Sequence, residues 1–506
     1  MNTSAAIKDT APLLDEASFK VLREGDTCWR IVRSAHAAVL IDGSDYFTQL
    51  DHALRQARRS IFILGWDFDS RIRLCPTMPG SPSLGNFLRE LVEDNAQLEV
   101  RALIWSAAVV HAPSDPKQLL LGAEWDTHDR IKVKLDTFHP IYGAHHQKVV
   151  VIDDSIAFLG GIDLTVRRWD SRPHVVDNPG RVSPEGRPYA PIHDVQMAVD
   201  ADAAAALGDM ARDRWLRATG EELQPDLDRR NLWSHGLAAD FTNIKIAIAR
   251  TYPELGKCKP VTEIEHLTSA SLRRAKKHIY IEQQYMTAPF IGEILADHLR
   301  KHDGPEIMVL MTRESRGVVE RLVMGNNRDR LIRRLKQHDH HGRLRVCYPV
   351  IRDGDGGSQV MVHSKLMLID DWFLRIGSAN LNNRSMGLDS ECDLAIEAED
   401  EASRVAIEAL RWRLIGEHLD ADPTILAEHA QACGSMISTI EHFDNKSRGF
   451  ACFEALSDEG PTRPVWGTSI LDPARPFEPL WFLRRKKRRA KQMASASQDW
   501  PLRLRQ

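Results

Sequence analysis

The chain has 506 residues, too many for one ordinary core, so two to four domains or one large duplicated unit is expected. Its composition, 43% apolar and 27% charged, is that of an ordinary globular protein, and a formal charge of −4 excludes a global attraction to nucleic acid or to an anionic membrane. The seven cysteines are scattered and form no CxxC pair, which points to reduced thiols rather than a disulfide frame or a zinc site.

Residues 1–40 read as an arm with a lead-in strand around TCWRIVRSAHAAVLI. MNTSAAIKDTAPLLDEASF lacks a basic flank followed by an apolar core, so no signal peptide is expected, and no apolar run approaches the length of a membrane span. A cytoplasmic protein, with peripheral contact at the inner face of the membrane, follows as the expectation. DGSDYFTQLDHALRQARRS has apolar residues at helical spacing, IFILGWDF is a buried strand, SLGNFLRELVEDN a helix, and LEVRALIWS and IKVKLDTF further strands. Past Asp163, RRWDSRPHVVDNPGRVSPEGRPY is rich in Pro, Gly, Arg and Asp and reads as a long loop. HDVQMAVD is a strand, and a helix follows that ends at Gly220. Residues 221–264 read as a linker or extra lobe.

The same order then returns from 265 to 420: IYIEQQYM, PEIMVLMT, GRLRVCYPV and ECDLAIEA as strands, with helical segments between and after them. Asp353 and Asp355 lie in a Gly-rich turn too short for an EF-hand calcium loop. The expected architecture is therefore α/β: two duplicated α/β sandwich halves, 41–220 and 265–420, related by a pseudo-two-fold axis. Residues 421–506 stand outside the repeat as a C-terminal extension.

Each half contains one copy of a motif. HQKVVVIDDSIAFLGGID begins at His146 and HSKLMLIDDWFLRIGSAN at His363. Both read His-x-Lys, four apolar residues, Asp, six residues, then a small pair. Period two on a strand places His146 beside Lys148 and His363 beside Lys365. A single histidine near a strand end is usually a satisfied structural group; two matched at fixed offsets are not. Two imidazoles and two ammoniums suit an anionic substrate better than a metal, so no metal and no cofactor is expected. The lysines supply point charges for phosphate oxygens, and Ser378 and Asn380 can add neutral hydrogen bonds. One imidazole can attack phosphorus while the other protonates the leaving alkoxide. Carboxylates behind the rings would set these roles, and Asp194 and Glu391, at matching places, are the candidates. Asp153 and Asp370 close the motif strands and are expected to hold backbone. Asp163 replaces the neutral Asn380 of the other copy, which makes the site asymmetric; it is expected to face Arg168, a lysine or the backbone.

These motifs, with the small pairs Gly160–Gly161 and Gly377–Ser378, resemble the signature of the phospholipase D superfamily. IFILGWDFDS, RRWD, HDVQMAV, IYIEQQY and NNRSMGLDSE resemble segments of its full-length, two-motif lipases, so the likeness runs from about residue 40 to about 480. The resemblance implies cleavage of the distal phosphodiester of a glycerophospholipid through a phosphohistidine, giving phosphatidic acid and a head-group alcohol, or transphosphatidylation when an alcohol replaces water. It implies His146 as nucleophile and His363 as general acid and base; the residues by themselves leave that order open. Trp66, Asp67 and the cluster Tyr280, Gln283, Gln284 and Tyr285 are candidates for a head-group pocket. The alternatives are a cardiolipin synthase-like phosphatidyl transferase, a nuclease, which the mildly acidic chain disfavours, and an inactive lipid-binding scaffold, which two complete motifs disfavour. Two motifs in one chain make a monomer the expectation.

Near the C-terminus Trp481 and Phe482 precede six basic residues, Arg484, Arg485, Lys486, Lys487, Arg488 and Arg489. Such a run is either a solvated tail or a contact for anionic lipid, each charge contributing about 1 kcal/mol near such a surface.

Overall fold

The computed structural model describes residues 20–108, 124–313, 324–352, 357–444, 447–453 and 459–465, with 468, 472, 473 and 475. Asp353, Asp355 and the segment Trp481–Arg489 lie outside the described residues.

The first half opens with strand β1 (Arg30–Ile41), then β2 (Ser60–Gly65), β3 (Glu99–Trp105) and β4 (Ile131–Asp136). The motif hairpin β5 (Val149–Ile152) and β6 (Ile156–Gly160) follows, and β7 (Ile192–His193) and β8 (Val195–Asp200) complete it. Pairing gives the order β4-β3-β2-β5-β6-β8-β1, parallel across β2–β3–β4 and antiparallel elsewhere. The second half repeats this with β9 (Phe241–Tyr252), β10 (Val261–Thr262), β11 (His278–Gln283), β12 (Glu306–Met311) and β13 (Leu344–Ile351). Its remaining strands are β14 (Ser358–Gln359), β15 (Met361–Val362), β16 (Lys365–Ile369), β17 (Phe373–Gly377), β18 (Glu391–Glu397) and β19 (Arg448–Cys452). The order is β13-β12-β11-β16-β17-β18-β9. β1 and β9, the equivalent first strands, pair antiparallel from Arg30↔Ile248 to Ala37↔Phe241, so the pseudo-two-fold passes between them.

This corrects the expected boundaries. Residues 221–240 form neither helix nor strand, but 241–252 are β9, the leading strand of the second half rather than a linker. β1 likewise belongs to the first half. The C-terminal extension is also partly integrated, since β19 pairs antiparallel with β13 and extends the second sheet. That pairing sets Cys347 opposite Cys452, and the two form a disulfide where reduced thiols are expected. A separation of 105 residues hides such a partner from any spacing rule.

Burial explains the layering. β5, β6, β16 and β17 are buried along their whole length, so they read as continuous apolar runs rather than alternating ones. One cluster joins the halves, bringing Leu159 and Met197 together with Leu366, Ile376 and Leu394 and burying Trp215 and Trp412. Two outer clusters lie one in each half, under the helices Asp42–Leu54 and Leu84–Asp94 and under Glu263–Arg273 and Pro289–Arg300. The helix Ala201–Thr219 ends where Gly220 takes φ 78° and returns its N–H to Leu216. Among the described residues no helix is long and apolar enough to cross a membrane.

Candidate active site

Each motif is a hairpin with its aspartate at the turn. Asp153 and Asp370 both sit at φ 50°, in the left-handed region that aspartate tolerates in turns. The Asp153 carboxylate accepts the backbone N–H groups of Arg58, Arg59 and Ser60 at 2.8–2.9 Å. Asp370 accepts those of Lys276, Lys277 and His278 at 2.7–3.0 Å. Both fasten the start of a neighbouring strand and are engaged away from the histidines.

The histidines precede the ladder rather than lie in it: β5 begins at Val149, β16 at Lys365. Their backbone is instead docked on the opposite half. His146 donates its N–H to the Ser390 carbonyl at 2.9 Å, and His363 donates to the His193 carbonyl at 2.8 Å. The rings are crossed in the same way. His146 Nδ1 lies 3.1 Å from both oxygens of Glu391 in the second half. His363 Nδ1 lies 2.6 Å from Asp194 Oδ2 in the first. With each Nδ1 held from behind, each Nε2 is left to face a substrate. One site is thus assembled from both halves, and neither half alone completes it.

Burial and neighbouring cations dominate the electrostatics. Burial, then Lys148 and Lys365, push His146 well below its usual range. Burial, then Lys365, Arg168 and Lys148, do the same to His363. Lys365 falls to about 7, chiefly through burial, with Asp194 opposing and Lys148 and Arg168 adding to the fall. Burial raises Glu391 to about 7 against hydrogen bonds from Ser378 and Ser385 and the charge of Lys148. Asp194 is also raised by burial, with Lys365 opposing.

The two copies reach this arrangement by different means. Gly161 leaves room for Asp194, since a Cβ there would lie 2.0 Å from its Oδ1. The matching Ser378 instead donates its hydroxyl to Glu391 Oε2 at 2.5 Å, and Ser385 donates to Oε1 at 2.7 Å. This corrects the expectation for Ser378: its single proton is spent on Glu391, behind His146, so it is a support for the carboxylate rather than a phosphate donor. Gly160 and Gly377 allow close strand approach, their missing Cβ atoms facing the Val195 carbonyl and Asp393. Asp163 lies 3.2 Å from Lys148 Nζ and accepts the Trp66 N–H at 2.9 Å, so it faces a lysine and the backbone rather than Arg168. Asn380 is buried and its Oδ1 has no hydrogen-bond partner among the described residues. Among the described residues Lys365 makes no ion pair like that of Lys148 with Asp163; it bonds the His363 carbonyl and Nδ1 and, at 3.4 Å, Gln284 Oε1, with Asp194 acting on it at longer range.

Sequence reasoning missed several participants. Arg168, buried and near enough to lower both His363 and Lys365, was signalled only by its place in RRWD. Ser385 had no signal beyond lying six residues before Glu391. Trp66, stacked on Trp105 at 5.8 Å, presents its edge to His146 at 6.4 Å, while Asp67 turns inward to accept from Thr165. Tyr280 is fully buried and donates to Glu282, so it packs and does not line the site.

Behind His363 lies a buried polar network that spans the halves. His193 Nδ1 is 2.9 Å from Glu417 Oε1 and 3.2 Å from Asp42 Oδ1, and its Nε2 is 2.9 Å from Glu282. His174 Nε2 is 3.1 Å from the same Glu417 oxygen, and its Nδ1 is 3.0 Å from Asp170. Burial would lower both imidazoles, but the surrounding carboxylates win: His174 is pushed up to about 10 and His193 well above its usual value. Among the described residues, Asp42, His174, His193 and Glu417 form one donor set close enough to hold a metal ion, and His193, Glu282 and His418 a second that overlaps it.

Two family models match the chain. One described as phospholipase D covers residues 53–245, and one described as cardiolipin synthase, PLD-like domain, covers 269–411. Together with the crossed two-motif site, they place the chain in the phospholipase D superfamily, close to the members with two motifs in one chain. Phospholipase D A of Dictyostelium discoideum is 24% identical over 461 residues, covering 76% of this chain and 36% of that protein. Phospholipase D1 of Saccharomyces cerevisiae is 24% identical over 531 residues, covering 84% of this chain and 31% of its own length. The chain thus spans about a third of the length of these two relatives. Among solved structures, the phosphatidylserine synthase of Haemophilus influenzae matches with a TM-score of 0.53 at 14% identity, over 81% of this chain and 96% of that one, which shows a shared fold.

Proposed function

We propose that this protein is a phospholipase D-type phosphodiesterase that cleaves the distal phosphodiester of a glycerophospholipid. The observation that carries the reading is the pair of imidazoles, each held at Nδ1 by a carboxylate of the opposite half. The carboxylates differ in a way that supports one order of roles. Asp194 makes one short bond to His363, whereas Glu391 divides its oxygens between His146 and two hydroxyls. A carboxylate already satisfied by two O–H donors stabilises an imidazolium less. His146 is therefore the nucleophile and His363 the acid, the order that the family resemblance implies.

In the first step His146 Nε2 forms a bond to phosphorus as the bond from phosphorus to the head-group oxygen breaks, and His363 gives that oxygen its proton. In the second, His363 takes a proton from water, the water oxygen attacks phosphorus, and the P–N bond breaks to release phosphatidic acid and His146. An alcohol in place of water yields the phosphatidyl alcohol by the same two steps. Lys148, Lys365, Arg168 and the Asn380 amide surround the phosphoryl oxygens. A phosphate anion beside Lys365 raises its affinity for a proton, so binding itself charges the site.

The match of the second half to a cardiolipin synthase-type domain favours a transferase as the second reading. Contact of the basic run 484–489 with anionic head groups belongs to the same proposal, supported by its charge. The test is incubation with labelled phosphatidylcholine, phosphatidylethanolamine or phosphatidylglycerol and a primary alcohol, comparing wild type with His146→Ala and His363→Ala. Phosphatidic acid or phosphatidyl alcohol should form only with wild type; exclusive phosphatidyl alcohol selects the transferase. No turnover of any lipid, with cleavage of single-stranded DNA, overturns the reading.

A further inference from the structure

The turn that precedes His146 has an unusual surface. Residues 137–143, TFHPIYG, leave Phe138 40%, Ile141 76% and Tyr142 51% exposed. Three of the eleven large apolar side chains exposed among the described residues thus fall within five positions. Apolar residues scattered singly over a surface need no explanation, whereas a cluster does.

The backbone beneath this cluster is fixed. Gly143 returns its N–H to the Pro140 carbonyl at 2.9 Å, and Phe138 N–H is held by Asp136 at 2.9 Å. The His139 ring is pinned between the Ser106 hydroxyl and the Pro140 carbonyl, both at 2.8 Å, and Arg384 holds the Tyr142 carbonyl at 2.7 Å. A turn held at both ends and the middle cannot fold its tip back onto the protein, so the three side chains stay presented. Position adds to this. His146 lies five positions after Ile141, which limits the distance to roughly 18 Å at full extension. No residue between Asp136 and Asp153 carries a carboxylate and Lys134 is exposed, while Arg384 beneath the turn is paired with Asp389. An aliphatic tip flanked by Phe and Tyr, free of acid, is matched to the boundary between head groups and acyl chains.

We propose that the 137–143 turn is an interfacial anchor, with Phe138, Ile141 and Tyr142 entering a phospholipid surface and setting the mouth of the site against it. This rests on the phospholipase reading for the substrate and on the turn itself for the contact. The anchor acts on lipid packed in a layer and has no role for a dispersed molecule that diffuses into the site.

The test compares the full chain with the double variant Ile141→Asp/Tyr142→Asp and, separately, Phe138→Ser. Sedimentation with phosphatidylcholine–phosphatidylglycerol vesicles is read beside turnover of the same vesicles and of dihexanoyl phosphatidylcholine below its aggregation threshold. The double variant should lose on the order of tenfold in vesicle binding, from the loss of apolar burial. Vesicle turnover should fall with it, while turnover of dispersed lipid stays within about twofold, as befits exposed substitutions. Unchanged vesicle binding overturns the anchor, and so does an equal fall on dispersed lipid, which would put the turn inside the reaction. If wild type binds vesicles but turns over neither substrate, the phospholipase reading fails while the binding arm still decides the anchor.

Discussion

The two halves share a strand order, a hairpin motif and a histidine docked on the other half's carboxylate strand, yet they differ at matched positions around the site besides Asp194 and Glu391. Gly161 stands against Ser378, Asp163 against Asn380, and His193 against Ser390. The first half therefore has a lysine paired with a carboxylate and a carboxylate strand locked in a charged network. The second has a lysine with no ion pair among the described residues and a carboxylate softened by hydroxyls. A symmetric phosphate cradle would give two equivalent histidines; these differences give the two rings unequal surroundings, and the proposed division into nucleophile and acid rests on them.

The largest expected effect breaks both halves at once. His146→Ala and His363→Ala should each lower kcat by about 10⁴-fold or more, because residues that act as a unit fail together. Only His146→Ala should abolish an acid-labile phosphoenzyme trapped during turnover, whereas His363→Ala with a substrate whose leaving group needs no proton should still form it. The carboxylates sharpen the comparison. Asp194→Asn should cost about 10⁴-fold in kcat, as loss of a triad acid does. Glu391→Gln should cost about 10²-fold, nearer the low end for general acid–base assistance. Equal losses would remove the argument that assigns the roles.

Replacing the neutral member of the Asp163/Asn380 pair tests the lysines. Asn380→Asp should lower kcat/KM by roughly 10–100-fold through repulsion of the phosphate, and should move the titration of Lys365 upward in the pH profile. A smaller effect separates the networks. His193→Ala should destabilise the fold by about 3–5 kcal/mol by leaving buried carboxylates unpaired. Ser390→Ala, at the matching place, should cost only about 1 kcal/mol in denaturant unfolding.

The smallest effect concerns pH. Glu391 titrates at about 7 when folded and near 4.5 when not, so the folded protein binds more protons between these values. Its contribution to stability is therefore fully present below pH 4.5 and is lost as pH rises through about 7. Glu391→Gln removes the titration, so its melting temperature should fall less than that of wild type between those pH values. A parallel fall in both would show that other groups carry the dependence.

Much of this was legible in the chain itself. Continuous apolar runs between Gly, Pro and Asp marked the main strands of each half apart from β9, and the fixed offsets of His, Lys, Asp and the small pair exposed both the duplication and the chemistry. Glu391 and Asp194 could be picked as carboxylates because each opens the strand that follows its motif in the repeat. What the residues could not tell was which carboxylate backs which ring. That follows from β1 pairing with β9 and from β15 lying beside β7, contacts between segments some two hundred residues apart. Nor could they reveal that Ser378 turns its hydroxyl to Glu391, that β9 hides in an apparent linker, or that Cys347 meets Cys452. Local periodicity reports what each segment buries; it is blind to what lies across the interface. The elements, the duplication and the class of chemistry can be read from the chain, because they rest on local pattern and residue type. The crossing of the pairs and the inequality of the two histidines come from the folded molecule, because both depend on distances of a few ångströms between the halves.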